Sequence, residues 1–106
     1  MTVYVDDMRA GFGRMVMCHM IADTDEELHA MADKIGVRRK WYQGDHYDIS
    51  LSRKQLALKY GAKLIPWKTL GFMAIHRRKT GKRCSPEEAE VFMAAIRDKN
   101  TARLQE

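Results

Sequence analysis

Residues 24 to 36 carry a full set of helix signals, and this segment constrains everything around it. Thr24 is an N-cap residue and Glu27, three positions on, completes a capping box, while Asp25 and Glu26 place negative charge at the positive end of the helix dipole. Leu28, Met31, Ala32 and Ile35 recur at helical spacing, and Gly36 supplies the stop. The result is one apolar stripe that has to be buried against another element.

The flanking segments supply that element. Thr2 to Val5 is β-prone and ends at Asp6 and Asp7, and Met15 to Ile21 reads as a second strand after a loop holding Gly11 and Gly13. Val37 to Tyr42 predicts a third strand, after which Gln43, Gly44 and Asp45 turn the chain into His46, Tyr47 and Asp48. A second helix is expected from Ser50 or Ser52 to Gly61, and a short strand at Lys63 to Ile65 closed by Pro66. Trp67 to Arg78 is expected to be helical and Lys79 to Lys82 to form a basic turn. Ser85, Pro86, Glu87 and Glu88 then start a last helix with Ala89, Phe92, Ala95 and Ile96 on its apolar face. Strands alternating with helices through residue 65 predict an α/β fold, a small sheet with helices packed on it, ending in a C-terminal helix. A chain of 106 residues suffices for one such domain, folding alone or as a homodimer.

Charge is placed unevenly along this chain. Residues 1 to 36 are acidic, whereas residues 37 to 83 hold thirteen bases against only Asp45 and Asp48, a block of +11 within a total of +5. Such a block draws anionic partners, which makes a nucleotide or nucleic acid the expected ligand class. Within it, His76 to Arg83 is a basic run with Trp67 and Phe72 upstream as stacking candidates, although solvated faces and core packing explain the same residues. Gly81 and Lys82 lack the spacing of a phosphate loop.

Cys18 and Cys84 form neither a CxxC pair nor a disulfide framework, so free thiols are expected. Apolar runs such as Leu70 to Ile75 are far shorter than a membrane span, and Asp6 and Asp7 argue against a secretory leader. A cytoplasmic location is the expectation.

Four segments carry a resemblance: Val3 to Asp7, His19 to Thr24, Glu27 to Ala30, and Asp45 to Asp48. Over roughly residues 1–65 they resemble domain of unknown function 4031, a family of small proteins from phages, prophages and bacterial chromosomes. The resemblance implies that Asp6, His19, Asp23, His29, His46 and Asp48 occupy the family's recurring polar positions. It leaves residues 66–106, the basic segment and last helix, outside the family-like core. A phage setting implies a small accessory factor, and one opposing a host defence fits that setting.

His19, His29 and His46 with Asp6, Asp23 and Asp48, all within the first 48 residues, are the donor types that hold a divalent metal, yet no HExxH or CxxC signature orders them. Asp6, Asp23 and His29 are the candidate metal ligands. His19, His46 and Asp48 are the candidate catalytic set, because His46 and Asp48 fall on one face of an extended strand, where an imidazole and a carboxylate cooperate. Arg38, Arg39, Arg53 and Lys54 are candidates for holding a phosphate. Bland roles compete with these: His19 as a core histidine, His29 as a partner of Asp25 and Asp33 on a solvated face, and His46 and Asp48 as turn and cap residues. Met15, Met17 and Met20 are expected to fill core or partner surface. Two functions remain open at this point. One is a phosphate-ligand protein with metal-assisted or histidine-dependent phosphoester cleavage; the other is a non-catalytic factor that binds host protein or DNA.

Overall fold

In the computed structural model, which describes residues 2–105, a mixed five-stranded sheet carries helices on both faces. The elements in order are β1 (Val3–Asp6), β2 (Ala10–Phe12), β3 (Met15–Ala22), α1 (Asp25–Ile35), a 3-10 turn at Arg39–Trp41, β4 (Tyr47–Ser50), α2 (Leu51–Lys59), β5 (Lys63–Ile65), α3 (Trp67–Thr80) and α4 (Pro86–Gln105). The α/β expectation therefore holds.

β3 is the hub. It pairs antiparallel with β1, β2 and β4, and β1 pairs in parallel with β5. Met20 has both Val5 and Tyr47 as partners, and Met17 has both Ala10 and Ser50, so β1 and β2 share one edge of β3 and β4 takes the other. Between those two pairings, Asp6 to Arg9 lie opposite only Cys18 and His19. The first strand is thus broken by a wide bulge, and bulges re-aim side chains where they occur.

Alternation along the strands separates two cores. Cys18, Met20, Ala22, Val3, Val5, Tyr47 and Ile49 face α1 and α2, meeting the stripe of Leu28, Met31, Ala32 and Ile35. Tyr4 and Ile65 face the other way, onto Leu70 and Met73 of α3 and onto Cys84 and Ala89. The capping signals act as read: Thr24 accepts the Glu27 N–H, and Ser85 and Glu88 exchange hydrogen bonds at 3.1 Å in both directions. Ser50 caps α2.

Three local expectations are corrected. The stretch around Gly11, expected as a loop, is strand β2, paired antiparallel with the start of β3, and only the residues after Phe12 turn. Val37 to Tyr42 is not a strand, because three successive cations, Arg38 to Lys40, cannot alternate between core and solvent. The segment instead anchors Val37 and Tyr42 on the core and turns between them. α3 runs through Thr80 rather than stopping at Arg78, since the left-handed stop is Gly81, whose N–H returns to the Arg77 carbonyl. Cys18 and Cys84 are both buried free thiols.

Gly36 is where the first helix meets the second. It sits at φ 79°, and a Cβ there would lie 3.0 Å from the Arg53 guanidinium, which donates to the Ile35 carbonyl at 2.6 Å. Gly36→Ala is expected to destabilise the fold by about 1–2 kcal/mol through the left-handed backbone alone. Urea denaturation would read it as a lower midpoint with an unchanged slope.

Candidate functional site

The bulge between β1 and β2 leaves the His19 N–H without a ladder partner, and Asp6 supplies one. Its fully buried carboxylate accepts the His19 N–H at 2.9 Å and the Met8 N–H at 3.3 Å through Oδ1. Its other oxygen accepts His19 Nδ1 at 2.8 Å. A carboxylate only accepts, so His19 Nδ1 carries the proton and Nε2 is left facing outward as a donor atom for a proton or a metal.

A second histidine is held in the same way. The Gln43 to Asp45 turn carries the chain to His46, whose Nδ1 donates to Asp45 Oδ1 at 2.5 Å. Tyr42 ties this turn down, its hydroxyl lying within hydrogen-bond distance of the Gly44 carbonyl and of Asp25 and donating to one of them at a time; Asp25 also pairs with Arg83. The two imidazole rings stand 5.5 Å apart, edge to face.

Asp48 lies between them, on β4 directly opposite His19. Gln43 donates to Asp48 Oδ2 at 2.7 Å. Oδ1 is buried, lacks a hydrogen-bond partner, and faces His46 Nε2 at 3.4 Å and His19 Nε2 at 3.6 Å. Buried polar atoms almost always find partners, so an orphaned carboxylate oxygen between two imidazole nitrogens calls for an explanation.

The group has the donor types and spacing that could hold a metal ion. One donor atom from each of His19, His46 and Asp48 lies within 4.8 Å of the others. Ligands bound at about 2.0–2.1 Å in a tetrahedral arrangement stand about 3.4 Å apart, close to the spacing of Oδ1 from either nitrogen. Both imidazoles also have the carboxylate behind them that orients metal-ligating histidines and raises their basicity.

His19 is pushed above the ordinary histidine range. The hydrogen bond to Asp6 is the main cause; burial works against it, and the charges of Asp6, Asp48 and Asp45 add to it. The neighbouring Cys18 points to the opposite face, toward the Ile49 carbonyl, and burial followed by the Asp6 charge pushes its thiol up to about 11. It stays protonated and outside the donor set.

The other predicted residues separate by place. Asp6 supports His19. Asp23 sits at the far end of β1, where it accepts the Thr2 N–H at 2.8 Å. His29 bonds the buried Tyr47 hydroxyl at 2.7 Å and packs edge-on against Tyr42, behind β4. Neither reaches the His19, His46 and Asp48 group. Arg38 and Arg53 line a cleft of about 690 Å³ that His19 and Asp48 also line. Arg39 lies beside the Tyr47 hydroxyl instead, and Lys54 lies on α2 near Cys18. His76 packs on Phe92 and bonds the Lys82 carbonyl, away from this group.

Sequence reasoning missed Asp45 and Gln43. Asp45 is adjacent to His46 in the Asp-His-Tyr-Asp segment, a signal that was available. Gln43 gave none, because its place beside Asp48 depends on where the segment from Gly36 to Gln43 folds.

A small α/β protein thus brings one histidine from the sheet and one from the turn before β4 together, each braced by an aspartate and sharing a third, in a cluster of two histidines and one carboxylate. The chain belongs to the family described as Protein of unknown function (DUF4031), which it matches over residues 3–78. The match runs past residue 65 through most of α3. Comparison with curated proteins and with solved structures gave no significant match.

The raised His19 pKa carries a sign. In metal-free protein, the charged ring's contribution to stability is complete below the unfolded-state value near 6.5 and is lost as pH rises through the higher folded value. Asp6→Asn removes the charge behind the ring, and the His19 titration midpoint should fall when followed by ring-proton NMR after chelation. A midpoint that stays put would mean that Asp6 is not what holds it up.

Proposed function

We propose that this protein binds a divalent metal through His19 Nε2, His46 Nε2 and Asp48 Oδ1 and hydrolyses a phosphoester in a nucleotide or nucleic acid. The observation that carries the reading is the orphaned Asp48 Oδ1, set between two outward-facing imidazole nitrogens at 3.4 and 3.6 Å. Imidazole and carboxylate donors with coordination positions left over suit zinc, manganese or iron. A metal so held lowers the pKa of bound water and draws charge from a phosphoryl oxygen.

The chain's own residues supply the rest. Asp6 and Asp45 keep both Nδ1 atoms protonated, so neither ring can flip to present the wrong nitrogen. Gln43 holds Asp48 Oδ2 and thereby turns Oδ1 toward the histidines. Arg38, Lys40 and Arg53 border the same cleft and favour an anionic substrate there. In the reaction the attacking water gives a proton to solvent as its oxygen bonds to phosphorus, the phosphorus–oxygen ester bond breaks, and the leaving alkoxide takes a proton from solvent.

The test joins metal binding to turnover. Calorimetry with Mn²⁺ or Zn²⁺ should give one ion per chain, and Asp48→Asn should weaken it by about 10-fold or more. Hydrolysis of a simple phosphodiester should fall in parallel in Asp48→Asn and His46→Ala, with the fold intact by circular dichroism. Turnover that survives full chelation would instead favour metal-free acid–base work by the two histidines. Salt-sensitive DNA binding with neither metal nor turnover would favour a non-catalytic partner-binding role.

A further inference from the structure

The cleft beside the His19 and Asp48 group has two kinds of wall. Met15 and Met17 of β3, with Ala10 and Gly11 of β2, give it an apolar side. The segment after α1 gives it Arg38, Lys40 and Trp41. Among the described residues Trp41, 59% exposed, is the largest side chain left so open, and its indole makes no hydrogen bond and joins neither core cluster. Lys40 Nζ stands 5.1 Å from its ring centre.

An exposed indole beside cations needs a reason. Burying it would stabilise the fold, yet the 3-10 turn holds it out while Val37 and Tyr42 on either side pack inward. A flat aromatic face, soft thioethers opposite and positive charge around the rim match a nucleobase attached to phosphate. A sugar phosphate would use the cations and leave the indole and methionines idle.

Resting on the metal-site reading above, we infer that the ligand is single-stranded nucleic acid or a nucleotide with an unpaired base, which stacks on Trp41 while its phosphates meet Lys40 and Arg38. A paired base in a duplex keeps both faces covered by its neighbours and cannot offer one to the indole. The cleft therefore selects against duplex before any bond is broken. Trp41 is then a specificity-determining residue, and it is not one of the three proposed metal donors.

Binding can be read without metal. The full chain carrying Trp67→Phe has Trp41 as its sole tryptophan. In chelator, a short unstructured single-stranded oligonucleotide should quench Trp41 emission, and the same sequence as a duplex should not. Trp41→Ala should weaken single-strand binding by roughly 5- to 100-fold, and Trp41→Phe should recover part of it. Calorimetric affinity for Mn²⁺ should be the same in wild type and Trp41→Ala. Unchanged oligonucleotide affinity in Trp41→Ala would overturn the inference, as would an inorganic polyphosphate binding as tightly as the oligonucleotide. Either result leaves the metal site standing, whereas a wild-type chain that binds oligonucleotide through Trp41 but takes up no metal would sink the metal reading alone.

Discussion

Everything near the site hangs on one buried carboxylate. Asp6 is fully enclosed at the end of β1, where an ionised group is costly unless several donors surround it. Three donors do: two backbone N–H groups and the His19 ring. One side chain thus closes the gap that the bulge opens in the sheet and fixes which nitrogen of His19 looks outward. Fold and chemistry are joined at this residue, since the break in pairing that makes Asp6 necessary also gives it its histidine.

The partner histidine is built differently. His46 stands on a turn, braced by its own neighbour Asp45 and steadied through Tyr42, Asp25 and Arg83. Asp48 spans the two halves, because β4 pairs with β3 and sets it across from His19. The cluster therefore joins one arm from the sheet to one arm whose position depends on a loop. That loop belongs to the same connection between α1 and β4 that carries Lys40 and Trp41.

How much of this was legible in the sequence depended on range. The helix at Asp25 was readable to the residue at both ends and the last helix at its start, because caps and stops act within one turn. The pairing of His46 with Asp48 was readable from a period of two. The meeting of His19 with that pair was not derivable locally, since it follows from the register of β3 against β4, thirty residues apart in sequence. His29 and Asp23 show the opposite failure: both are ligand types close to the site in sequence, and the sheet sends one behind β4 and the other to the far end of β1. The cationic stretch at Arg38 misled the strand reading because Val37 and Tyr42 have strand-like chemistry, while the residues between them cannot enter a core.

The last helix changes what the family match means for this chain. The matched region ends at residue 78, yet the second core is completed by Cys84 and Ala89. A chain cut after residue 78 would lose Cys84 and Ala89 and so uncover part of Leu70 and Met73. The first core, on the opposite face of the sheet, would keep every one of its members. The roof over the second face is thus separable from the packing that holds β3 and β4 in register.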